Sequence, residues 1–140
     1  VALLYKDNFL IQHRKHLAFD GVFDITSSSH QLFKNGKLQS TLEATYETLQ
    51  REWSLEKNDL SYEPKLKGAI YYKTKDPKSE FTEHELCDIL ATEVKVLPTP
   101  NFDFAYGFSL VKKEEVINKK GRIYQALAPW VKKAIANKLL

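Results

Sequence analysis

The sequence predicts an α+β fold in which a mixed β-sheet packs between helices. An apolar stretch at residues 1–5, a polar turn and a returning strand at residues 9–13 form a pattern typical of a β-hairpin. Residues 40–53 and 123–140 have the apolar spacing of amphipathic helices. Strands and helices do not alternate strictly, which favours a mixed sheet over a parallel βαβ arrangement.

Length and composition indicate one globular domain spanning residues 1–140, because 43% of the residues are hydrophobic. The net charge is +3 and the lysines are scattered, so we expect no nucleic-acid partner. Cys87 is the only cysteine, which excludes a disulfide framework. No apolar run reaches the length of a membrane span, so we expect a cytoplasmic protein without a membrane partner. The chain starts at Val1 and lacks methionine, so we expect residues upstream of it.

Residues 24–53 are the stretch around which the chain is organised. A polar loop of Thr26 and three serines ends in His30, and an Asn-Gly turn at 35–36 follows. Ser40 and Glu43 have the spacing of a capping box, which predicts a helix start. The predicted apolar face is formed by Leu42, Tyr46, Leu49 and Trp53. Glu52 lies at its margin, so the stretch places a histidine and a helical carboxylate together.

Residues 66–75 and 83–96 predict a second hairpin around a turn at 76–79. Because alternate residues of a strand share a face, Glu83 and Glu85 point the same way and Cys87 continues their row. Such close carboxylates are solvated, share a proton or hold a cation. The alternative is an exposed edge strand with charged side chains.

The C-terminal third predicts a strand at 105–111, a short helix at 112–119 and a helix or helix pair at 123–140. Pro129 suits a helix start, where its missing N–H costs nothing. Trp130 is expected to face inward with Ala134 and Ile135, and the lysines of this segment outward.

Each of these residues also has a purely structural interpretation. The serines at 27–29 lack a Gly-x-Ser-x-Gly elbow and suit a polar turn. Glu52 suits a solvated helix carboxylate beside a surface ion pair between Glu47 and Arg51. Trp130 suits an ordinary core tryptophan.

The order of the motifs adds a resemblance. The following segments occur in order along nearly the whole chain: FLIQHR, GVFDITSSSHQL, a helix ending in Glu52, YYKTKDP, EHELC, PTPN and APW. This order resembles type I isopentenyl diphosphate isomerase, of the Nudix superfamily. The resemblance implies a Nudix-type α/β/α sandwich. It also implies an isomerase that protonates and deprotonates a small isoprenoid diphosphate, with a divalent metal as cofactor: Mg²⁺, or else Mn²⁺ or Zn²⁺.

The resemblance also implies roles for individual residues. His30, Glu83 and Glu85 match metal ligands, and Glu85 also matches a proton-transfer group. Glu52 matches the helix glutamate that holds a second metal at the diphosphate.

Further matches concern the reaction and the substrate. Ser28 stands where the family has its catalytic cysteine, and Tyr72 matches a tyrosine that assists proton transfer. Trp130 matches the tryptophan over the substrate hydrocarbon. We also expect Arg14, Lys15 or His16 to supply part of the cationic clamp for the diphosphate.

The chain also departs from the family pattern. A serine hydroxyl at position 28 is a weaker acid than a thiol, and the family's paired arginines fall at Glu47 and Thr48. Two further metal histidines fall at or before the N-terminus. Of the helix carboxylates in the Nudix hydrolase signature, this chain has only Glu52, since Thr48 and Arg51 stand at two of its acidic positions. A divergent Nudix hydrolase of another diphosphate, or a catalytically silent Nudix-like binding domain, therefore stays open.

Overall fold

The computed structural model describes residues 1–140, which form a mixed sheet with helices. The strands are β1 (Ala2–Tyr5), β2 (Asn8–Arg14), β3 (Phe23–Asp24), β4 (Phe33–Lys34), β5 (Lys37–Leu38), β6 (Lys65–Lys75), β7 (Thr82–Glu93) and β8 (Ala105–Lys112). The helices are α1 (Thr41–Trp53), α2 (Lys113–Ile117), α3 (Gly121–Ala126) and α4 (Pro129–Ala136).

The six-stranded sheet has the order β3-β2-β1-β7-β6, and β8 also pairs with β2. Only β1 and β7 run parallel; every other pair in the sheet is antiparallel. This confirms the predicted α+β class with a mixed sheet. β4 and β5 form a separate small hairpin around the predicted turn, where Asn35 and Gly36 have φ of 52° and 74°.

The centre of the sheet is buried on both faces, since β1 and β2 carry buried apolar side chains at consecutive positions. Ala2, Phe9 and Ile11 belong to a core that includes Trp130 and Val131 of α4. The neighbouring positions belong to a second core formed by Leu3, Leu10, Leu49, Trp53, Leu55, Leu60 and Val94. Since successive residues of a strand point to opposite faces, α1 and α4 lie on opposite sides of the sheet.

Helix α1 begins with the predicted capping box. The Ser40 side chain accepts from the Glu43 amide at 3.2 Å, and the Glu43 carboxylate accepts from the Ser40 amide at 2.8 Å. The buried stripe differs from the predicted one and consists of Ala44, Thr45, Thr48, Leu49, Glu52 and Trp53. Leu42 and Tyr46 are only half-buried. The helix therefore turns two threonines and a glutamate toward the sheet.

The second predicted hairpin is confirmed, with Tyr72 opposite Glu85 and Tyr71 opposite Leu86. β7 ends at Glu93, earlier than predicted, and Val94 forms an isolated antiparallel bridge with Leu60. β6 bulges between Leu66 and Gly68. A Cβ atom at Gly68, whose φ is +142°, would meet Leu139 at 2.8 Å, so this position requires glycine.

The C-terminal segment is a helix pair, and α4 begins at Pro129 as predicted. Trp130, Ala134 and Ile135 are buried, which confirms the inward face. α2 covers less than the predicted 112–119. None of the helices is long and apolar enough to cross a membrane.

Candidate functional site

A tyrosine on β6 joins the two carboxylates of β7. The Tyr72 hydroxyl lies 2.9 Å from Oε2 of Glu83 and 2.9 Å from Oε2 of Glu85. The cross-strand register produces this contact, because Tyr72 stands directly opposite Glu85. The phenol has one proton and donates it to one carboxylate at a time, so both short contacts are hydrogen bonds only when one of the two carboxyls is protonated. The arrangement is therefore a proton-sharing cluster.

His30 extends this cluster from the other side. Its Nε2 lies 2.5 Å from Oε1 of Glu85, and its own side chain is 78% exposed. The preceding loop is fixed by buried hydroxyls. Thr26 donates to the carbonyl of Leu10 at 2.7 Å, and Ser27 accepts from the Trp53 indole at 2.9 Å. These buried hydrogen bonds therefore hold the polar loop in place, and the loop positions His30 against β7.

Asp24 forms a second, buried cluster that sequence reasoning missed. It is 2% exposed. Its Oδ1 accepts from the Trp130 indole at 2.9 Å and from the Ile25 amide at 2.8 Å. Its Oδ2 accepts from Ser28 at 3.1 Å and from Arg14 at 3.4 Å. An acidic residue between Phe23 and Ile25, in an otherwise apolar segment, was the signal in the sequence.

Ser28 is held by this second cluster. Its hydroxyl accepts from Nη1 of Arg14 at 2.8 Å and donates to Asp24. Because Ser28 donates its proton to Asp24 and accepts from Arg14, which also pairs with Asp24, the serine orients Arg14. The structure brings Ser28 into the site, bonded to Asp24 and Arg14.

Trp130 connects the two clusters. Its indole bonds Asp24, while its ring lies 5.8 Å from the ring of Tyr72. The Arg14 guanidinium lies 5.4 Å from the Trp130 ring centre, within reach of a cation–π interaction. Trp130 is buried, so its ring forms a wall shared by the proton-sharing cluster and the arginine.

Lys15 does not join Arg14 at this wall. Its ammonium donates to the carbonyl of Phe102 at 3.2 Å and lies 6.0 Å from the ring of Tyr106. Of the predicted clamp residues, the structure places only Arg14 beside Trp130, since the His16 ring contacts the backbone of Ala18.

Glu52 stands apart from the other predicted metal ligands. It is buried, with 7% of its surface exposed, and accepts from Nη2 of Arg51 at 2.6 Å. The interpretation of Glu52 as a solvated carboxylate is therefore wrong. So is the ion pair between Glu47 and Arg51, because Glu47 pairs with Lys34 at 2.6 Å. No hydrogen bond connects Glu52 with His30, Glu83 or Glu85.

Burial favours the neutral forms of Glu83 and Tyr72. It raises the pKa of the Glu83 carboxyl; the hydrogen bond from Tyr72 opposes this shift, and the Glu85 charge adds to it. Burial and the two carboxylates raise the pKa of the Tyr72 phenol. Burial raises the pKa of the Cys87 thiol to about 11, so this thiol is a neutral packing group at neutral pH.

The donor types present suit the divalent metal that the resemblance implies. A site made mostly of carboxylate oxygens favours Mg²⁺ or Mn²⁺, and a larger share of imidazole nitrogens favours Zn²⁺. His30 and Glu85 already touch, and Glu83 joins them through Tyr72. However, no three histidine, cysteine, aspartate or glutamate side chains surround a common point in the structure. A bound cation would have to replace the hydrogen bond between His30 and Glu85.

Comparisons with known proteins bear on the fold only. No protein-family model matches the chain, and no curated protein matches it. Among solved structures, the crystal structure of DR0079 from Deinococcus radiodurans matches with a TM-score of 0.62 and 14% identity. The match covers 93% of this chain and 76% of that chain. At this identity the likeness shows a similar fold and carries no information about activity.

Proposed function

We propose that this chain is a proton-transfer enzyme of the isopentenyl diphosphate isomerase type, built on a Nudix-type α/β/α sandwich. The observation that carries the proposal is the Tyr72 hydroxyl, which lies 2.9 Å from both Glu83 and Glu85. Moving a double bond requires a proton donor at one carbon and a proton acceptor at another. A phenol between two carboxyl groups, one of them with a raised pKa, can supply both.

The surroundings of this cluster suit a small apolar substrate that ends in a diphosphate. The Trp130 ring borders Tyr72 and offers an apolar wall whose π face stabilises developing positive charge. Nε of Arg14 is buried and has no hydrogen-bond partner, so the protein leaves one donor of this guanidinium unsatisfied beside the Trp130 ring. An apolar wall beside a cation is the combination that an isoprenoid diphosphate requires.

Each residue then has a distinct task. Glu85 and Tyr72 transfer the protons, and Glu83 accepts a hydrogen bond from the Tyr72 hydroxyl. Ser28 and Asp24 orient Arg14. His30, Glu83 and Glu85 would hold a divalent cation, with Mg²⁺ the first candidate, and Glu52 with Arg51 would lie outside that set. The bound cation would neutralise charge on the carboxylates and on the diphosphate.

One experiment separates this proposal from the alternatives. Isopentenyl diphosphate is incubated with the full chain and Mg²⁺ in heavy water and followed by proton and phosphorus NMR. Dimethylallyl diphosphate carrying deuterium supports the proposal. Phosphate release without isomerisation supports a divergent Nudix hydrolase, and an unchanged substrate supports a silent binding domain; either result overturns it. Glu115→Gln, an exposed carboxylate change on α2, serves as the matched control for Glu85→Gln.

A further inference from the structure

The free edge of β6 is the longest unpaired strand edge in the molecule. β6 runs from Lys65 to Lys75 and lies at the end of the sheet, with β7 as its only strand neighbour. Its outward backbone groups are therefore available to another extended segment.

The face of β6 turned toward the α1 side is exposed and divided into two halves. Leu66, Ala69 and Tyr71 form an apolar half, and Leu66 and Tyr71 are each 61% exposed. Leu86, directly opposite Tyr71 on β7, extends this half and is 76% exposed. These residues lie outside the core that α1 forms with β1 and β2 on this side of the sheet.

The other half of the same face is cationic. Lys73 and Lys75 follow Tyr71 at alternate positions and are exposed. Their acidic surroundings are sparse, since Lys75 has one distant partner, the fully exposed Glu80 at 3.6 Å. β6 contains four lysines and no acidic residue.

This charge pattern opposes pairing with a second copy. Antiparallel self-pairing centred on Ile70 would set Lys73 and Lys75 against Lys67 and Lys65 of the other copy. Like charges directly opposite each other across two strands are destabilising. The same pattern favours a partner strand that carries negative charge at one end.

We propose that the β6 edge binds an extended acidic segment of another protein by β-strand addition. The segment pairs its backbone with β6. On the face shared with Tyr71 it places apolar side chains beside the apolar half and carboxylates beside Lys73 and Lys75. Main-chain bonds supply affinity and the alternate side chains supply specificity.

The test uses a synthetic peptide with blocked termini. In one half of the peptide threonine alternates with valine, and in the other half threonine alternates with glutamate. Amide NMR spectra of the full chain are recorded during titration with this peptide. The expected result is saturable shifts and added hydrogen-exchange protection confined to the β6 amides. A peptide with lysine in place of glutamate should bind at least about tenfold more weakly.

Charge-reversed variants complete the test. The pair Lys73→Glu with Lys75→Glu should weaken binding of the acidic peptide about tenfold. Lys133→Glu, on an exposed position of α4, should leave it unchanged. Equal binding of both peptides, shifts elsewhere on the chain, no binding at millimolar peptide, or concentration-dependent self-association that protects β6 would each overturn the proposal.

Discussion

Nε2 of His30 lies 2.5 Å from Oε1 of Glu85, although 55 positions separate the two residues in the chain. The contact forms because the loop before His30 is fixed by Thr26 and Ser27, while Glu85 is fixed by its pairing with Tyr72. It connects an exposed, titratable imidazole with a half-buried carboxylate. It places the loop residue His30 beside the strand carboxylate that also bonds Tyr72.

Replacing Glu85 by glutamine removes a proton acceptor and preserves the shape of the side chain. We expect isomerisation of isopentenyl diphosphate to fall at least about 100-fold, since positioned acid–base groups contribute that much or more. Initial rates by proton NMR measure the effect, with Glu115→Gln as the control that retains the rate. Activity in Glu85→Gln within a factor of about three of the unmodified chain would remove Glu85 from the reaction.

Replacing Ser28 by alanine should have a smaller effect. Ser28 bonds Arg14 and Asp24, so the variant loses orientation of the guanidinium and keeps the cluster of Tyr72 and the β7 carboxylates. We expect the KM for the diphosphate to rise about tenfold, the equivalent of one lost polar contact, with little change in kcat. A loss of kcat as large as that of Glu85→Gln would instead show that the serine itself transfers a proton.

Asp24→Asn should destabilise the fold. The aspartate is buried and accepts four hydrogen bonds, two of them from Arg14 and the Trp130 indole. The asparagine amide would point its own N–H groups at some of these donors, and it would leave Arg14 without its counter-ion. The free energy of unfolding should therefore fall by about 3 kcal/mol. Urea unfolding followed by tryptophan fluorescence measures the loss. Asp103→Asn, an exposed position, is the control, and equal stability of the two variants would contradict the account.

Asp76 makes the fold sensitive to acid. Its pKa lies below the ordinary value of 3.8 because the Ser79 hydroxyl, the Lys78 amide and the Phe19 amide bond the carboxylate. A carboxyl with a lowered folded pKa contributes stability that is fully present above its unfolded pKa. That contribution is lost as the pH falls through the folded pKa.

Thermal unfolding of Asp76→Asn from pH 7 to pH 2.5 checks this expectation. The Tm of the variant should lie below that of the unmodified chain at neutral pH, and the gap should narrow below about pH 4. Asp7→Asn, an exposed turn residue, should show no such gap. A gap that stays constant down to pH 2.5 would show that the carboxylate charge is not the cause.

Much of the fold followed from local patterns. The capping box at Ser40, the turn at Asn35-Gly36 and the helix start at Pro129 were predictable because each depends on neighbouring residues alone. The shared face of Glu83 and Glu85 followed from strand alternation.

The remaining features depend on contacts that are distant in the sequence. Burial of Glu52 follows from the rotation of α1 against the sheet, which the apolar residues Leu42 and Tyr46 did not predict. The role of Asp24 requires Trp130, 106 positions away, and Arg14 on another strand. Such pairings arise only when the sheet and α4 are assembled.

The central claim is that protons move through Tyr72 between the β7 carboxylates, and Tyr72→Phe tests it most directly. The variant keeps the ring beside Trp130 and removes only the hydroxyl. The measurement is the rate of deuterium incorporation from heavy water into isopentenyl diphosphate, with Mg²⁺ present. We predict incorporation by the unmodified chain and a rate at least about 100-fold lower for Tyr72→Phe. Equal rates in the two proteins, or no incorporation by the unmodified chain, would contradict the claim.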